Sequence, residues 1–354
     1  MTPRCHPGFL IAWEPEAAQR LSPPKGEWLE AWPLEWSHHI RHGRSDVCAW
    51  LLAVDPAGRP PLVQQAWTSP EGVVLFFGIL YSPCDVDSLA PRLLSATGRE
   101  ELPTVLRQLN GTFCGAIFHA PRQSLYLFTD GYAVERVYYA ARPSGWAAAT
   151  DPFLLARWCG QPKISAQAIG QSLYSGYIWE GSLFEGQNRV HAGCFVRCDR
   201  TSSTVTEWVQ DPLPRQTGRA AFERLDAAHR QFWADGRTAW ADSAVFLLSR
   251  GKDSRILLKY LVEAGGKPRV LAYERQDRDY LPFVSYLLRD TADRKVAESI
   301  AREWRLAFDA LTISNRYYVD HLDEVVALNH GGPPHWEALA AAEAAAAGLS
   351  LIHI

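Results

Sequence analysis

One stretch of the chain, residues 243–273, restricts the fold more than any other. The apolar run "SAVFLL" ends in the polar turn "SRGKDS", and a helical pattern from Asp253 to about Ala264 follows. The doublet "GG" then precedes a second apolar run, "RVLAY". Two neighbouring strands joined by a helix run parallel, because the helix carries the chain back across the sheet. The pattern therefore predicts a parallel α/β sheet in this part of the chain.

The preceding half of the chain has a different pattern. From Leu109 to Thr150 the runs "TFCGAIF", "SLYLF", "RVYYA" and "GWAAAT" alternate with turn-like segments, which predicts a meander of antiparallel strands. Asp151 with Pro152, and later Ser165, are residues typical of helix starts. The runs "CFVRC" and "STVTEW" then predict two more strands.

We expect two domains, because 354 residues exceed the usual size of one. The segment "VQDPLPRQTG" marks the boundary, since its prolines and glycine interrupt the periodicity on both sides. The expected organisation is a domain at 1–208, a linker at 209–216, an α/β domain at 217–348 and a separate tail at 349–354.

Composition excludes several classes of protein. A formal charge of -3 gives no basic footprint for nucleic acid, and no stretch is long and apolar enough to cross a membrane. The N-terminus lacks the features of a signal peptide, so we expect a cytoplasmic protein with neither nucleic acid nor membrane as a partner. The seven cysteines include no CxxC pair, which favours reduced, mostly buried thiols over a metal site.

The turn "SRGKDS" has the composition of an anion site. At the carboxyl end of a parallel strand, the start of a helix presents unpaired backbone N–H groups and the positive end of the helix dipole. Ser249 and Ser254 add hydroxyl donors, while Asp253 would repel a phosphate unless Mg²⁺ lay between them. The turn is not a P-loop of the form GxxxxGKS or GxxxxGKT. The alternative interpretation is a polar turn in which Asp253 only favours the helix start.

Several motifs in a shared order narrow these possibilities. "LLSRGKDSR" resembles the pyrophosphate loop SGGxDS, while "LNGTFCGAIF", "LYLFTDGYAVERVYYA" and "SLFEGQNRVHAGCFVRC" are similar to the motifs LNGxFAFAxxD, LxLxRDxxGxxPLYY and TLFxGIxxLPPG. In this order the motifs are those of the asparagine synthetase family, and the resemblance runs from about Val73 to Gly348.

This resemblance implies a two-domain α/β and α+β fold. A glutaminase-like αββα sandwich of the N-terminal-nucleophile hydrolase type would precede an ATP pyrophosphatase-type parallel α/β sheet. The second domain would adenylate a carboxylate with ATP and Mg²⁺ and form an amide, releasing AMP and pyrophosphate. Asp253 would hold Mg²⁺, and Leu247 and Tyr273 would line the adenine pocket. The residues expected to bind ATP or its pyrophosphate are Leu247, Ser249, Arg250, Gly251, Lys252, Asp253, Ser254 and Tyr273.

The first domain departs from the family pattern where a glutaminase needs its chemistry. The family's nucleophilic cysteine follows the initiator Met, but here residue 2 is Thr2 and the first cysteine is Cys5. The oxyanion motif NGEIYN appears as "FGILYS", so Phe77 replaces the asparagine and only Gly78 is kept. Losing one oxyanion donor raises the barrier by roughly 3 to 4 kcal/mol. We hypothesise that this domain is structural, and that ammonia or an amine of the substrate supplies the nitrogen.

Arg250 is a second departure, because it stands at the first glycine of SGGxDS. If this position needs φ > 0, the arginine strains the backbone by roughly 1 to 3 kcal/mol. Alternatively, its guanidinium reaches the phosphates itself. The sequence does not decide between strain and compensation.

The last six residues, "LSLIHI", have two interpretations. As protein they are typical of a buried parallel strand, but they also match the translation of CTG TCT CTT ATA CAC ATC, a transposase adapter sequence. We hypothesise that Leu349 to Ile354 are adapter read-through. The family's second phosphate loop, SGxGxDE, and its lysine at the adenylate would follow Gly348, so we expect this chain to lack half of the active site and to be inactive by itself.

Three classes of function follow. The first is an asparagine synthetase-like ligase acting on a small-molecule or peptide carboxylate, with intramolecular amide formation of the β-lactam-synthetase or lasso-peptide-cyclase kind as a variant. The second is a non-catalytic relative that binds a nucleotide. The third, a tRNA-modifying ATP pyrophosphatase, is disfavoured by the absence of a basic patch or a CxxC pair. A homodimer is one possible assembly.

Overall fold

The computed structural model of the chain describes residues 8–15, 34–42, 44–52, 62–81, 85–160, 163–179, 181–209, 217–236, 244–276, 291–322, 326 and 350–352. The chain divides into two compact units, the first built mainly from residues 1–212 and the second mainly from residues 213–325. The expected linker at 209–216, except Val209, and the alanine-rich segment before Gly348 lie outside the described residues. None of the helices in the described ranges is long and apolar enough to cross a membrane.

The described part of the first unit contains short strands and four helices. Its described strands are β1 (Gly8–Glu14), β2 (Leu34–His42), β3 (Ser45–Leu52), β4 (Leu62–Ser69), β5 (Gly72–Leu80), β6 (Gly111–His119), β7 (Ser124–Thr129), β8 (Tyr138–Arg142), β9 (Gly145–Ala149), β10 (Gln187–Arg189), β11 (Cys194–Cys198) and β12 (Ser203–Glu207). Its described helices are α1 (Val86–Arg99), α2 (Leu102–Gln108), α3 (Pro152–Trp158) and α4 (Ala166–Ser175).

These strands form two antiparallel sheets. One has the order β10-β8-β9-β1-β3-β2 and the other β12-β11-β7-β6-β5-β4. The expected meander is therefore wrong in one respect: β7 and β8 are consecutive in the chain but belong to different sheets. Residues 130–137 carry the chain from one sheet to the other, a crossover that strand periodicity alone cannot reveal because it does not identify a strand's partner.

Side chains along each strand alternate between the two faces of the sheet, and both faces carry buried apolar residues. Phe9 and Trp13 of β1 and Leu75 and Phe77 of β5 belong to a core between the two sheets. The opposite face of β5 packs with apolar residues of α1 and α2, and the opposite face of β1 packs with Leu154 of α3 and its neighbours. The layer order is helix, sheet, sheet, helix, which confirms the expected αββα arrangement.

Two helix starts of this unit are those that the sequence predicts. The Asp151 carboxylate accepts the N–H groups of Phe153 and Leu154 at 2.8 and 2.9 Å, and Pro152 opens α3. The Ser165 hydroxyl accepts the N–H of Ala168 at the start of α4. Both side chains satisfy N–H groups that have no intrahelical partner, which is why these residue types mark helix starts.

The second unit contains the parallel sheet. Its described elements are α5 (Gly218–Gly236), β13 (Ala244–Leu247), α6 (Lys252–Glu263), β14 (Arg269–Gln276), α7 (Thr291–Trp304), β15 (Phe308–Ser314), α8 (Asn315–Asp320) and β16 (Ser350–Ile352). The strand order is β15-β14-β13-β16, and every pair is parallel. The strand, helix, strand unit predicted from the sequence is thus confirmed as β13, α6 and β14.

The tail pairs with β13 through β16, as a buried strand would. This pairing does not bear on the origin of the six residues, because any short apolar segment can add to an open strand edge. Asp293 is the third residue of α7, which begins at Thr291.

Candidate functional site

The polar turn lies at the carboxyl end of β13. Leu248, directly after the strand, is 3% exposed, and its N–H donates to the carbonyl oxygen of Leu271 in the neighbouring β14. The chain then turns through Ser249, Arg250 and Gly251, and α6 starts at Lys252. The structure therefore places the turn where an α/β sheet usually binds ligands, beyond the carboxyl ends of its strands.

A network of hydroxyl groups joins the turn to the first turn of α6. The hydroxyl oxygens of Ser249 and Ser254 lie 3.0 Å apart, and the Gly251 N–H donates to the Ser249 hydroxyl at 3.1 Å. A Cβ atom on Gly251 would lie 2.9 Å from the Ser249 oxygen. A larger residue at position 251 would therefore displace this hydroxyl.

The start of α6 is open to solvent. Its N-cap residue, Gly251, supplies no side-chain cap, and Lys252 and Asp253 are exposed. The N–H groups of the first helical turn have no intrahelical acceptor, so they and the helix dipole favour an anion here. Asp253 is the one acidic residue of the first turn of α6.

A magnesium ion at this position would need ligands besides the Asp253 carboxylate. Within the described ranges, no group of three or more His, Cys, Asp or Glu side chains could hold a metal ion. Mg²⁺ in nucleotide sites is commonly held by one or two carboxylates together with phosphate oxygens and water. The exposed Asp253 carboxylate suits that arrangement, and the remaining ligands would have to come with the nucleotide.

Arg250 adopts ordinary backbone geometry. The non-glycine residues with positive φ in the described ranges are Glu100, Gln123, Ala133 and Arg305. Arg250 is not among them, so of the two alternatives left open by the sequence, backbone strain from a positive φ does not occur here. The Arg250 N–H donates to the Asp293 carboxylate at 3.0 Å, and its Nε lies 3.4 Å from the same oxygen. Arg250 is thus held from α7, an interaction that the sequence does not predict.

The two residues expected at an adenine pocket lie on neighbouring strands. Leu247 ends β13 and is only partly buried against Val245 and Leu271, so part of this apolar surface is accessible. Tyr273 lies in β14, paired in register with Leu311 of β15. The side chain of Tyr273 is outside the described part of the structure.

The expected remnant of an oxyanion site in the first unit is part of the core. Phe77 is 4% exposed and belongs to the cluster between the two sheets. A Cβ atom on Gly78 would lie 2.3 Å from the Thr112 carbonyl oxygen, so the neighbouring strand explains why this residue is glycine. Thr2 and Cys5 are outside the described residues.

The cysteines of the described ranges are free, and most are poor nucleophiles. Cys48, Cys114 and Cys198 are buried, whereas Cys159 and Cys194 are half-buried. Burial raises the pKa of the Cys159 thiol to about 11, and it also raises the pKa of Cys114, Cys194 and Cys198. A thiol with a raised pKa carries little thiolate at neutral pH, so these four thiols are unsuited to act as nucleophiles.

The carboxyl group of Glu135, near Cys114, has an unusual pKa. Burial, together with the charge of Asp130, raises the pKa of Glu135 to about 7. The Asp130 carboxylate in turn accepts the backbone N–H groups of Tyr132 at 2.8 Å and Phe113 at 3.2 Å. Asp130 and Glu135 both lie in the segment "TDGYAVE", which the sequence identifies only as a turn. The residue pattern does not show whether a side chain in a turn is buried.

Comparison with known proteins finds only distant similarity. No protein-family model and no curated protein sequence matches the chain. Glutamine phosphoribosylpyrophosphate (PRPP) amidotransferase from B. subtilis, complexed with ADP and GMP, aligns with a TM-score of 0.31 and 10% identity over 77% of this chain and 67% of that chain. A structure described as the allosteric regulatory enzyme of purine biosynthesis aligns with a TM-score of 0.32 and 9% identity over the same shares. Scores this low do not establish a shared activity.

Proposed function

We propose that the chain is part of an asparagine synthetase-like ligase. The protein would use ATP and Mg²⁺ to adenylate the carboxylate of a small molecule or peptide, and a nitrogen nucleophile would then displace AMP and form an amide. Adenylation is needed because amines do not displace the oxygen of a free carboxylate, and a leaving group divides one difficult step into two easier ones.

The open start of α6 beside Ser249 and Asp253 carries the proposal. Under it, the first-turn N–H groups, Lys252 and the hydroxyls of Ser249 and Ser254 bind the pyrophosphate part of ATP. Asp253 holds Mg²⁺, whose charge offsets the repulsion between this carboxylate and the phosphates. The partly exposed Leu247 would supply apolar surface for adenine.

The nitrogen would not come from glutamine. A buried phenyl ring at Phe77 cannot donate a hydrogen bond to an oxyanion, and the raised pKa of Cys114 argues against a substitute nucleophile. Ammonia or an amine of the substrate itself would therefore attack the adenylate. In the second case the product is cyclic, as in β-lactam synthetases and lasso-peptide cyclases.

Titration calorimetry with MgATP tests the nucleotide site in this chain. Asp253→Asn should weaken MgATP binding at least about tenfold, because the amide removes the charge that holds Mg²⁺. Glu263→Gln is the matched control, since it changes a carboxylate at the opposite end of α6, where Glu263 pairs with Arg230 at 2.9 Å. Equal MgATP affinity in the two variants would contradict the proposal.

Activity separates the ligase from a nucleotide-binding relative without catalysis. A version of the protein that also carries an SGxGxDE loop and the lysine expected at the adenylate should release pyrophosphate from ATP only when a suitable carboxylate is added. ATP binding without such release, over a panel of amino acids, peptides and aminosugar acids, would favour the non-catalytic relative.

A further inference from the structure

Asp293 makes two contacts with the proposed phosphate loop that its place in α7 does not require. Its carboxylate accepts the Arg250 N–H at 3.0 Å and lies 3.4 Å from the Arg250 Nε. We infer that Asp293 is a specificity-determining residue, which makes the loop bind magnesium-complexed polyphosphate and reject the free anion. The inference rests on the proposed function, because it concerns the ligand of the same site.

The Asp293 carboxylate already accepts a hydrogen bond from one of the backbone N–H groups of the loop. Backbone N–H groups of such a turn are the groups that bind phosphate oxygens. Here the N–H of Arg250 is taken by Asp293, and the N–H of Gly251 is taken by the Ser249 hydroxyl. An incoming polyphosphate must therefore displace Asp293 or bind next to its negative charge.

The charge of the ligand decides which anion is accepted. Free pyrophosphate carries several negative charges and would meet the carboxylates of Asp253 and Asp293, of which the second is partly offset by the Arg250 guanidinium. A magnesium complex carries less negative charge, and its metal can be bound by Asp253. The Asp293 side chain is only 26% exposed, so water screens its charge less than it would for a fully exposed group.

Stabilisation of α7 does not explain these contacts. A carboxylate in the first turn of a helix is favoured by the helix dipole, which accounts for an aspartate at position 293. It does not account for a side chain that reaches across to the N–H of Arg250. Glu298, on the same helix, shows the ordinary alternative, since it pairs with Arg302 one turn later at 3.1 Å.

Calorimetric titration with inorganic pyrophosphate, with and without Mg²⁺, tests the inference. The wild-type chain should bind magnesium pyrophosphate and bind metal-free pyrophosphate much more weakly. Asp293→Asn keeps an oxygen acceptor for the Arg250 N–H but removes the charge, so metal-free pyrophosphate should bind on the order of 5- to 10-fold more tightly. Magnesium pyrophosphate should bind within about twofold of wild type, because the metal already offsets that charge.

Two further variants make the result decisive. Glu298→Gln changes the net charge by the same amount on the same helix and should leave both affinities unchanged. Asp293→Ser also removes the charge but keeps a side chain that suits a helix start. Metal-free pyrophosphate should bind more tightly to this variant too, as it should to Asp293→Asn. The serine variant therefore keeps the inference testable if Asp293→Asn fails to fold.

The outcomes separate the inference from the proposed function. If the wild-type chain binds pyrophosphate in neither form, the phosphate site itself is wrong. If it binds the magnesium complex, but removing the charge of Asp293 leaves the preference for that complex unchanged or increases it, the site stands and the role of Asp293 is overturned.

Discussion

The two units treat their expected chemical residues in opposite ways. At the expected oxyanion position of the first unit, Phe77 is buried between two sheets. In the second unit, Gly251, Lys252 and Asp253 are exposed at the start of α6, at the end of a strand. The difference is one of accessibility: Phe77 stabilises the fold by burying apolar surface, whereas the polar residues at the start of α6 remain accessible to a ligand.

The largest effect in this comparison is expected for Phe77→Asn, which introduces the asparagine of the motif NGEIYN. The substitution removes a buried ring from the core and buries an amide, so unfolding free energy should fall by about 3 to 5 kcal/mol. Guanidinium unfolding followed by tryptophan fluorescence measures the loss. Phe222→Asn is the control, because Phe222 is 68% exposed and its replacement should change stability little.

A stable Phe77→Asn protein that releases glutamate from glutamine would contradict this interpretation of the first unit. That result would mean that position 77 still belongs to a pocket and that the phenyl ring merely blocks it.

A pH-dependent effect is expected for Glu135→Gln. The pKa of Glu135 is about 7 in the folded chain against an ordinary value of 4.5. As pH rises from about 4.5 to 7, the unfolded chain loses this proton before the folded chain does, so the wild type loses stability over that range. Glutamine avoids the loss and should stabilise the protein by up to about 3 kcal/mol at pH 8, with a much smaller difference at pH 5.

Unfolding curves at pH 5, 6.5 and 8 measure this difference for Glu135→Gln and for Glu207→Gln, whose carboxylate is on the exposed strand β12. Equal stability of wild type and Glu135→Gln at every pH would show that the Glu135 carboxyl is not held in a low-dielectric site.

A smaller effect is expected for Gly251→Ala in the second unit. Gly251 has φ of -56°, which alanine tolerates, but its Cβ would displace the Ser249 hydroxyl. MgATP should therefore bind several-fold more weakly, which corresponds to roughly 1 kcal/mol, while the unit stays folded. Gly170→Ala in α4 is the control, because nothing lies within 4 Å of the added Cβ. Unchanged MgATP affinity in Gly251→Ala would show that the hydroxyl does not contribute.

Local signals in the sequence predicted the elements well. Asp151 and Ser165 mark the starts of α3 and α4, because their side chains satisfy N–H groups within the next three residues. The parallel arrangement of β13 and β14 also follows from sequence, since a helical connection leaves few topologies. Each of these conclusions depends on residues that are close together in the chain.

Non-local features could not be predicted. One is the crossover of the chain from β7 in one sheet to β8 in the other. Another is the hydrogen bond between Arg250 and Asp293. The hydrophobic periodicity of a sequence does not show which strand or residue becomes the partner in such contacts. In the candidate site the sequence predicts the turn and its polar residues, but neither the geometry of Arg250 nor its partner. The raised pKa of Glu135 has no signal in the sequence either, since it depends on burial of the carboxyl group, which the residue pattern does not reveal.

Calorimetric titration of one wild-type preparation with MgATP and then with glutamine tests the central claim most directly. The account predicts heat of binding for MgATP, none for glutamine, and no release of glutamate on incubation. Glutamine binding with glutamate release, in a protein that shows no heat with MgATP, would contradict it.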